Sequence, residues 1–126
     1  MTFKVAYPPN AGKLYSMNAI YAGKHWTERS KDKELWHSIV RNELRKQKVP
    51  EQIFDKPVKI TFSWHDNLDI DNHSYMAKMI IDAIKGYLIK DDNKKWFKEV
   101  THKFHDKPYI SVELTEIEDI QRILSP

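Results

Sequence analysis

The 126 residues contain no cysteine, which excludes a disulfide framework and any thiolate metal site and makes a reducing compartment the simplest home. No apolar run approaches the roughly 20 residues that span a bilayer, and residues 1–9 have no apolar stretch of the secretory kind. The expectation is a cytoplasmic protein with no membrane partner. Only three glycines occur, never clustered, so no Gly-rich phosphate loop is present. Internal repeats, low-complexity tracts and linkers are also missing. With 40% apolar and 12% aromatic residues, the chain is expected to form one domain over 1–126 with its own core.

Net charge is only +3, but it is unevenly spread. Residues 1–50 carry ten Lys or Arg against four acids, net +6, whereas residues 51–126 carry eleven against fourteen, net −3. A basic half suits phosphate and an acidic half suits a cation, although two ordinary solvated surfaces are the simpler reading of the charge alone.

Periodicity places the elements. Phe3–Tyr7 reads as a short strand closed by Pro8 and Pro9, followed by a long loop to about Trp26. From an N-cap at Thr27 or Ser30 to Gln47, the residues Leu35, Trp36, Ile39, Val40 and Leu44 recur at helical spacing. Val58, Ile60, Phe62 and Trp64 alternate on one face of a strand. A second helix is expected over Asn72–Tyr87, then strands Trp96–Phe104 and Tyr109–Thr115 joined as a hairpin, and a short helix over Glu116–Leu124. The sum is an α+β (mixed α/β) domain, a small mixed sheet of about four strands with two main helices packed on it.

Between the central strand and the second helix lies Asn67-Leu68-Asp69-Ile70-Asp71-Asn72. In an extended segment Asp69 and Asp71 project together while Ile70 turns to the core, an arrangement that suits a hard cation with oxygen ligands. Helix capping by Asp71 or Asn72 is the competing explanation. Along the helix Asp71, Lys78, Asp82 and Lys85 share one line, opposite Met76, Met79, Ile80, Ala83, Ile84 and Tyr87. That charged line also reads as a solvated face, and Lys85 as an ordinary surface lysine. The stretch Tyr87–Asp91 is long enough to bring Asp91 and Asp92 back towards the first pair. Three carboxylates beside a lysine suit Mg²⁺ and phosphodiester hydrolysis, while Asp91-Asp92-Asn93 is also ordinary turn chemistry.

These residues in this order, Asp69-Ile-Asp71-Asn72, then Lys78 and Asp82-Ala-Ile84, then Asp91-Asp92 before the last strands, resemble the RusA family of Holliday junction resolvases. The resemblance covers most of the chain, including Pro8-Pro9, Ser16-Met-Asn18-Ala-Ile-Tyr21 and Leu114-Thr-Glu116. It implies a crossover junction endodeoxyribonuclease of prokaryotic or phage origin. Such an enzyme uses Mg²⁺, with Mn²⁺ as a substitute, and acts as a homodimer that nicks a four-way junction symmetrically in recombination and repair. Asp69, Asp71 and Asp92 then match the metal-binding carboxylates. Lys78 matches the catalytic lysine when three residues are inserted after Asn72; the ungapped position holds Tyr75. The position before the first aspartate is basic in a member of that family, where Leu68 stands here.

Expected DNA contacts are Lys24, His25, Trp26, Arg29 and Lys31, with Lys94 and Lys95 beside the Asp pair. Trp26 is expected to close the loop from within the core, with stacking on an unpaired base as its alternative. His65 and His73 flank the acidic motif but are expected to be bystanders, and His102 and His105 face opposite ways on a strand. Two other functions fit the same residues: a nuclease for flaps, forks or other branched DNA, and a non-catalytic DNA-binding recombination accessory protein.

Overall fold

A computed structural model of the protein describes residues 1–117; the terminal helix expected over Glu116–Leu124 falls almost wholly outside them. The elements are β1 (Thr2–Val5), α1 (Ala11–Tyr15), α2 (Met17–Tyr21), α3 (Trp26–Lys46), β2 (Val58–Trp64), a 3₁₀ turn (Ile70–His73), α4 (Ser74–Ile84), β3 (Phe97–Phe104) and β4 (Ile110–Glu116). They build the α+β fold: one four-stranded mixed sheet in the order β1-β4-β2-β3, with helices packed on it.

The alternation in β2 does what its spacing requires. Val58, Ile60, Phe62 and Trp64 are all fully buried. Their cross-strand partners Leu114 and Val112 on β4 point the same way, and Phe3 and Val5 of β1 extend that face through Val112 and Ile110. Against it α3 sets Trp36, Val40 and Leu44, one residue per helical turn, and α4 sets Met76, Ile80 and Ile84. These residues belong to one buried cluster.

β3 and β4 do not form a hairpin. β2 lies between them, parallel to β3 and antiparallel to β4. The segment 105–109 therefore arches over the end of β2, where His105 N–H donates to the Trp64 carbonyl at 3.0 Å. Crossing two strand spacings takes about 10 Å, well within the reach of five residues.

Three boundaries also differ from the periodicity reading. The segment 10–26 is not an open loop but contains α1 and α2, and Ser16 caps α2 by accepting from Ala19 N–H. The long helix α3 starts at Trp26, capped by the His25 ring nitrogen rather than by Thr27 or Ser30. α4 stops at Ile84, three residues early. There Arg41 donates to the carbonyls of Ala83 (2.7 Å) and Lys85 (3.0 Å), and Gly86 takes a positive φ of 75° that suits a residue without Cβ. The outer edge of β1 is covered in a related way: Gln47 accepts from Lys4 N–H and donates to the Lys4 carbonyl, as a strand would. Among the described residues no helix is long and apolar enough to cross a membrane.

The packing predicts a gradient along the sheet. Phe62→Ala, at the centre of the core, should cost roughly 3–5 kcal/mol in urea unfolding, whereas Val100→Ala, 46% exposed on the β3 edge, should cost under about 1 kcal/mol.

Candidate functional site

The strand β2 ends at Trp64 and the chain must turn before α4, a turn organised by Asp66. Its carboxylate accepts from the Tyr7 hydroxyl at 2.8 Å, from Leu68 N–H at 3.0 Å and from His73 Nε2 at 2.8 Å. Tyr7 also accepts from His65 N–H, so the end of β1 is tied to the same point. Burial, with the hydrogen bonding and charge of Asp66 adding to it, pushes the Tyr7 phenol well above its ordinary range, and the hydroxyl stays a donor.

His73 is fully buried, stacked on Trp64 with ring centroids 4.5 Å apart and edge-on to Phe104. Its second nitrogen, Nδ1, faces the Ile70 carbonyl at 3.0 Å. Both ring nitrogens thus have an oxygen partner within hydrogen-bond distance. This histidine fastens the turn from beneath and touches neither solvent nor an incoming phosphate. Its place was readable in principle, since His73, Met76, Ile80 and Ile84 recur along the packed stripe of the helix.

Asp69 and Asp71 stand above this clamp. Only Asp69 has an extended backbone; it leads into the 3₁₀ turn that carries Asp71, closed by Asn72 N–H donating to the Asp69 carbonyl at 3.0 Å, and Ile70 is 40% exposed rather than turned to the core. Neither carboxylate serves as a helix cap. The 3₁₀ turn and α4 both start without a side-chain cap bond, and among the described residues neither Asp69 nor Asp71 makes a side-chain hydrogen bond or ion pair.

Asp92 does return to α4. Its carboxylate meets Lys78 Nζ at 2.5 Å and Lys85 Nζ at 3.6 Å, while Asp82 meets Lys78 at 3.2 Å, Lys85 at 3.5 Å and Lys33 at 3.8 Å. Lys85 is therefore part of the charge cluster and not a solvated bystander. The hydrogen bond from Lys78, followed in strength by one from the Asp91 side and by the lysine charges, outweighs burial and pulls the Asp92 carboxyl from 3.8 down to about 2. The same bond, with help from Asp82, pushes Lys78 upwards. Lys78 is consequently a charged donor and no general base. Tyr75, the alternative at the ungapped position, is committed elsewhere: its hydroxyl donates to Asp32 at 2.7 Å, and burial together with that bond raises its pKa.

The donor chemistry of Asp69, Asp71 and Asp92 fits a hard cation, being carboxylate oxygen throughout. Their arrangement is open: among the described residues no group of three or more His, Asp or Glu could hold a metal ion. Asp71 precedes Lys78 by two helical turns, about 10 Å of rise, and Asp92 lies over the Lys78 end. A cavity of about 460 Å³ beside Val49, Phe54 and Leu88 shares no residue with this cluster.

The expected DNA contacts divide. Lys24 is engaged internally, its ammonium bound to Asp32 and to the Leu14 carbonyl and its side chain 9% exposed. His25 caps α3 through Thr27 N–H. Trp26, expected in the core, is instead 64% exposed. Arg29, Lys31, Lys94 and Lys95 are exposed, with Lys95 leaning over the Trp96 ring at 5.1 Å. No protein-family model matches the chain, and no curated protein matches it either.

Two measurements check this geometry in metal-free buffer. His73→Ala should destabilise the fold by roughly 3–5 kcal/mol in urea, because it empties a fully buried aromatic site against Trp64 and Phe104 and removes a hydrogen bond from Asp66, and amide exchange across 66–73 should accelerate with it. Asp92 has a depressed folded-state pKa, so its contribution is present above about 3.8 and is lost as pH falls towards about 2. Asp92→Asn should therefore be less stable than the native chain at pH 7, by about 1 kcal/mol given that Lys78 is largely solvated. That gap should close between those two pH values.

Proposed function

We propose that the protein is a divalent-metal-dependent endodeoxyribonuclease acting on branched DNA, with four-way junctions as its substrate and a homodimer as its working form. One observation carries the reading. Asp69 and Asp71 project from a turn fastened by the Asp66–His73 network, yet among the described residues their carboxylates make no hydrogen bond or ion pair. Exposed carboxylates fixed in place without partners suit an external cation. The return of Asp92 to Lys78 supports the same reading, as does the resemblance of the whole constellation to the RusA family.

On this reading Asp69 and Asp71 would hold Mg²⁺ or Mn²⁺, and Asp92, which stands beside Lys78, would move to join them. Such a cation would supply an activated water and charge neutralisation at the phosphodiester. The chain's own residues do the remainder. Lys78, protonated and hydrogen-bonded to Asp92, places a positive donor where charge gathers on the phosphoryl oxygens. Any cation that takes Asp92 competes with Lys78 for it, which frees the ammonium for the phosphate. Arg29, Lys31, Lys94 and Lys95 supply the sequence-independent attraction for DNA. A two-fold junction is matched by two copies of the chain, one site each.

Incubation with Mg²⁺ and labelled four-way, flap, fork and linear DNAs tests the proposal. The expected result is paired symmetric nicks in the four-way substrate, abolished by chelation and by Asp71→Asn, while Asp71→Asn still binds the junction. Cleavage of flaps or forks alone points to the broader branched-DNA nuclease. Binding without cleavage under every metal condition points to the accessory protein.

A further inference from the structure

Trp26, Arg29 and Lys33 lie at i, i+3 and i+7 on one face of α3, and Tyr75, Lys78 and Asp82 lie at the same spacing on α4. The two faces enclose a groove of about 310 Å³. We infer that this groove is a subsite for one unstacked nucleotide of a single-stranded DNA segment, with its base on the Trp26 indole and its phosphate at Arg29 and Lys33. The inference deepens the nuclease reading and rests on it for its position, because the groove runs to Lys78 and hence to Asp92.

Several observations point to this occupant. An indole is among the most expensive side chains to leave in water, and Trp26 is 64% exposed on the groove wall, with the His25 ring 5.7 Å away and tilted 33°. It does no work in the core, where Trp36, Val40 and Leu44 fill the packed stripe of α3. Its exposed indole is the kind of platform on which bases stack without regard to sequence. The charge around it is complementary to phosphate. Arg29 has no side-chain hydrogen bond or ion pair among the described residues, and the side chains of Lys33 and Lys78 are 63% and 58% exposed. The single carboxylate in the wall, Asp82, is 10% exposed and already faces three lysines. The Tyr75 hydroxyl is held by Asp32 and does not compete as a donor. The volume sits at the low end for small-molecule sites, room for one nucleotide and not for a duplex.

The test measures binding in EDTA, with no cleavage involved. The probes are a fluorescent duplex interrupted by a five-nucleotide thymidine gap and the same duplex with an abasic gap. The native chain should prefer the thymidine gap. Trp26→Ala should lose about tenfold on the thymidine gap, within the range set by base–aromatic stacking, and little on the abasic one. Trp26→Phe should keep most of the preference. Arg29→Ala should weaken both and flatten the salt dependence by about one unit of slope. Equal affinities for the two gaps, or equal losses on both in Trp26→Ala, would overturn the subsite; because Trp26 is exposed, circular dichroism should show all variants folded. The two proposals fail separately: a base preference without cleavage of any DNA removes the nuclease and leaves the subsite, and junction cleavage without a base preference does the reverse.

Discussion

The contact between Asp66 and His73 is the constraint on which the site depends. An imidazole buried against Trp64 and Phe104 is unfavourable unless its nitrogens are bonded. Asp66 and the Ile70 carbonyl meet that requirement from opposite sides. Because Asp66 follows β2 and His73 precedes α4, the same bonds hold both ends of the intervening turn, and Ile70 is caught in its middle. The core therefore reaches up into the loop, and the positions of Asp69 and Asp71 follow from packing several residues away. Tyr7 adds the end of β1 to the same carboxylate, so three elements converge on one side chain.

Above this clamp the charged network has a different character. Lys33, Lys78 and Lys85 share Asp82 and Asp92 at distances of 2.5 to 3.8 Å, on a face where Lys33 and Lys78 are mostly solvated. Pairs of this kind contribute about 0–1 kcal/mol each. They exchange partners at little cost, which a site that must admit a cation or a phosphate requires. The rigid part of the site is hydrogen-bonded inside the protein, and the part that meets solvent is held together weakly.

Much of the fold is legible in local pattern. The alternation Val58-Ile60-Phe62-Trp64 and the spacing Trp36-Val40-Leu44 reflect one buried face each, and burial follows directly. Chain lengths allowed Asp92 to come back towards Asp69 and Asp71, but after a compact turn at Gly86 in place of an extended stretch it stops beside Lys78, short of the first pair. What escaped was decided by distant partners. His105-Asp106-Lys107-Pro108 turns the chain in the same way whether its flanking strands pair or straddle a third, so the place of β2 between β3 and β4 had no local signal. The alternation rule misplaced Ile70 because a 3₁₀ turn, fixed by His73, replaced the extended backbone. Trp26 was read by residue type, and its angle gave no warning: five full turns place it in line with Leu44, yet as the first residue of α3 it lies beyond the packed stretch Trp36–Leu44.

The offset between Asp71 and Asp92 has a further consequence for the nuclease reading. Two turns of helix separate Asp71 from Lys78, and α4 cannot slide to close that gap, since Met76, Ile80, Ala83 and Ile84 are fully buried and Arg41 pins its last carbonyls. The turn bearing Asp69 and Asp71 is equally fixed by His73. The Asp92 segment is held differently. Asp91 accepts from Asp92 N–H and Asn93, Asn93 accepts from Lys95, Trp96 and Phe97 N–H, and the remaining ties to Asp92 are the two lysines. The bonds among Asp91, Asp92 and Asn93 travel together, whereas those from Trp96 and Phe97 tie Asn93 to the start of β3. If a cation draws the three carboxylates together, the movement falls on Asp91 and Asp92, and the first contact released is the one between Asp92 and Lys78.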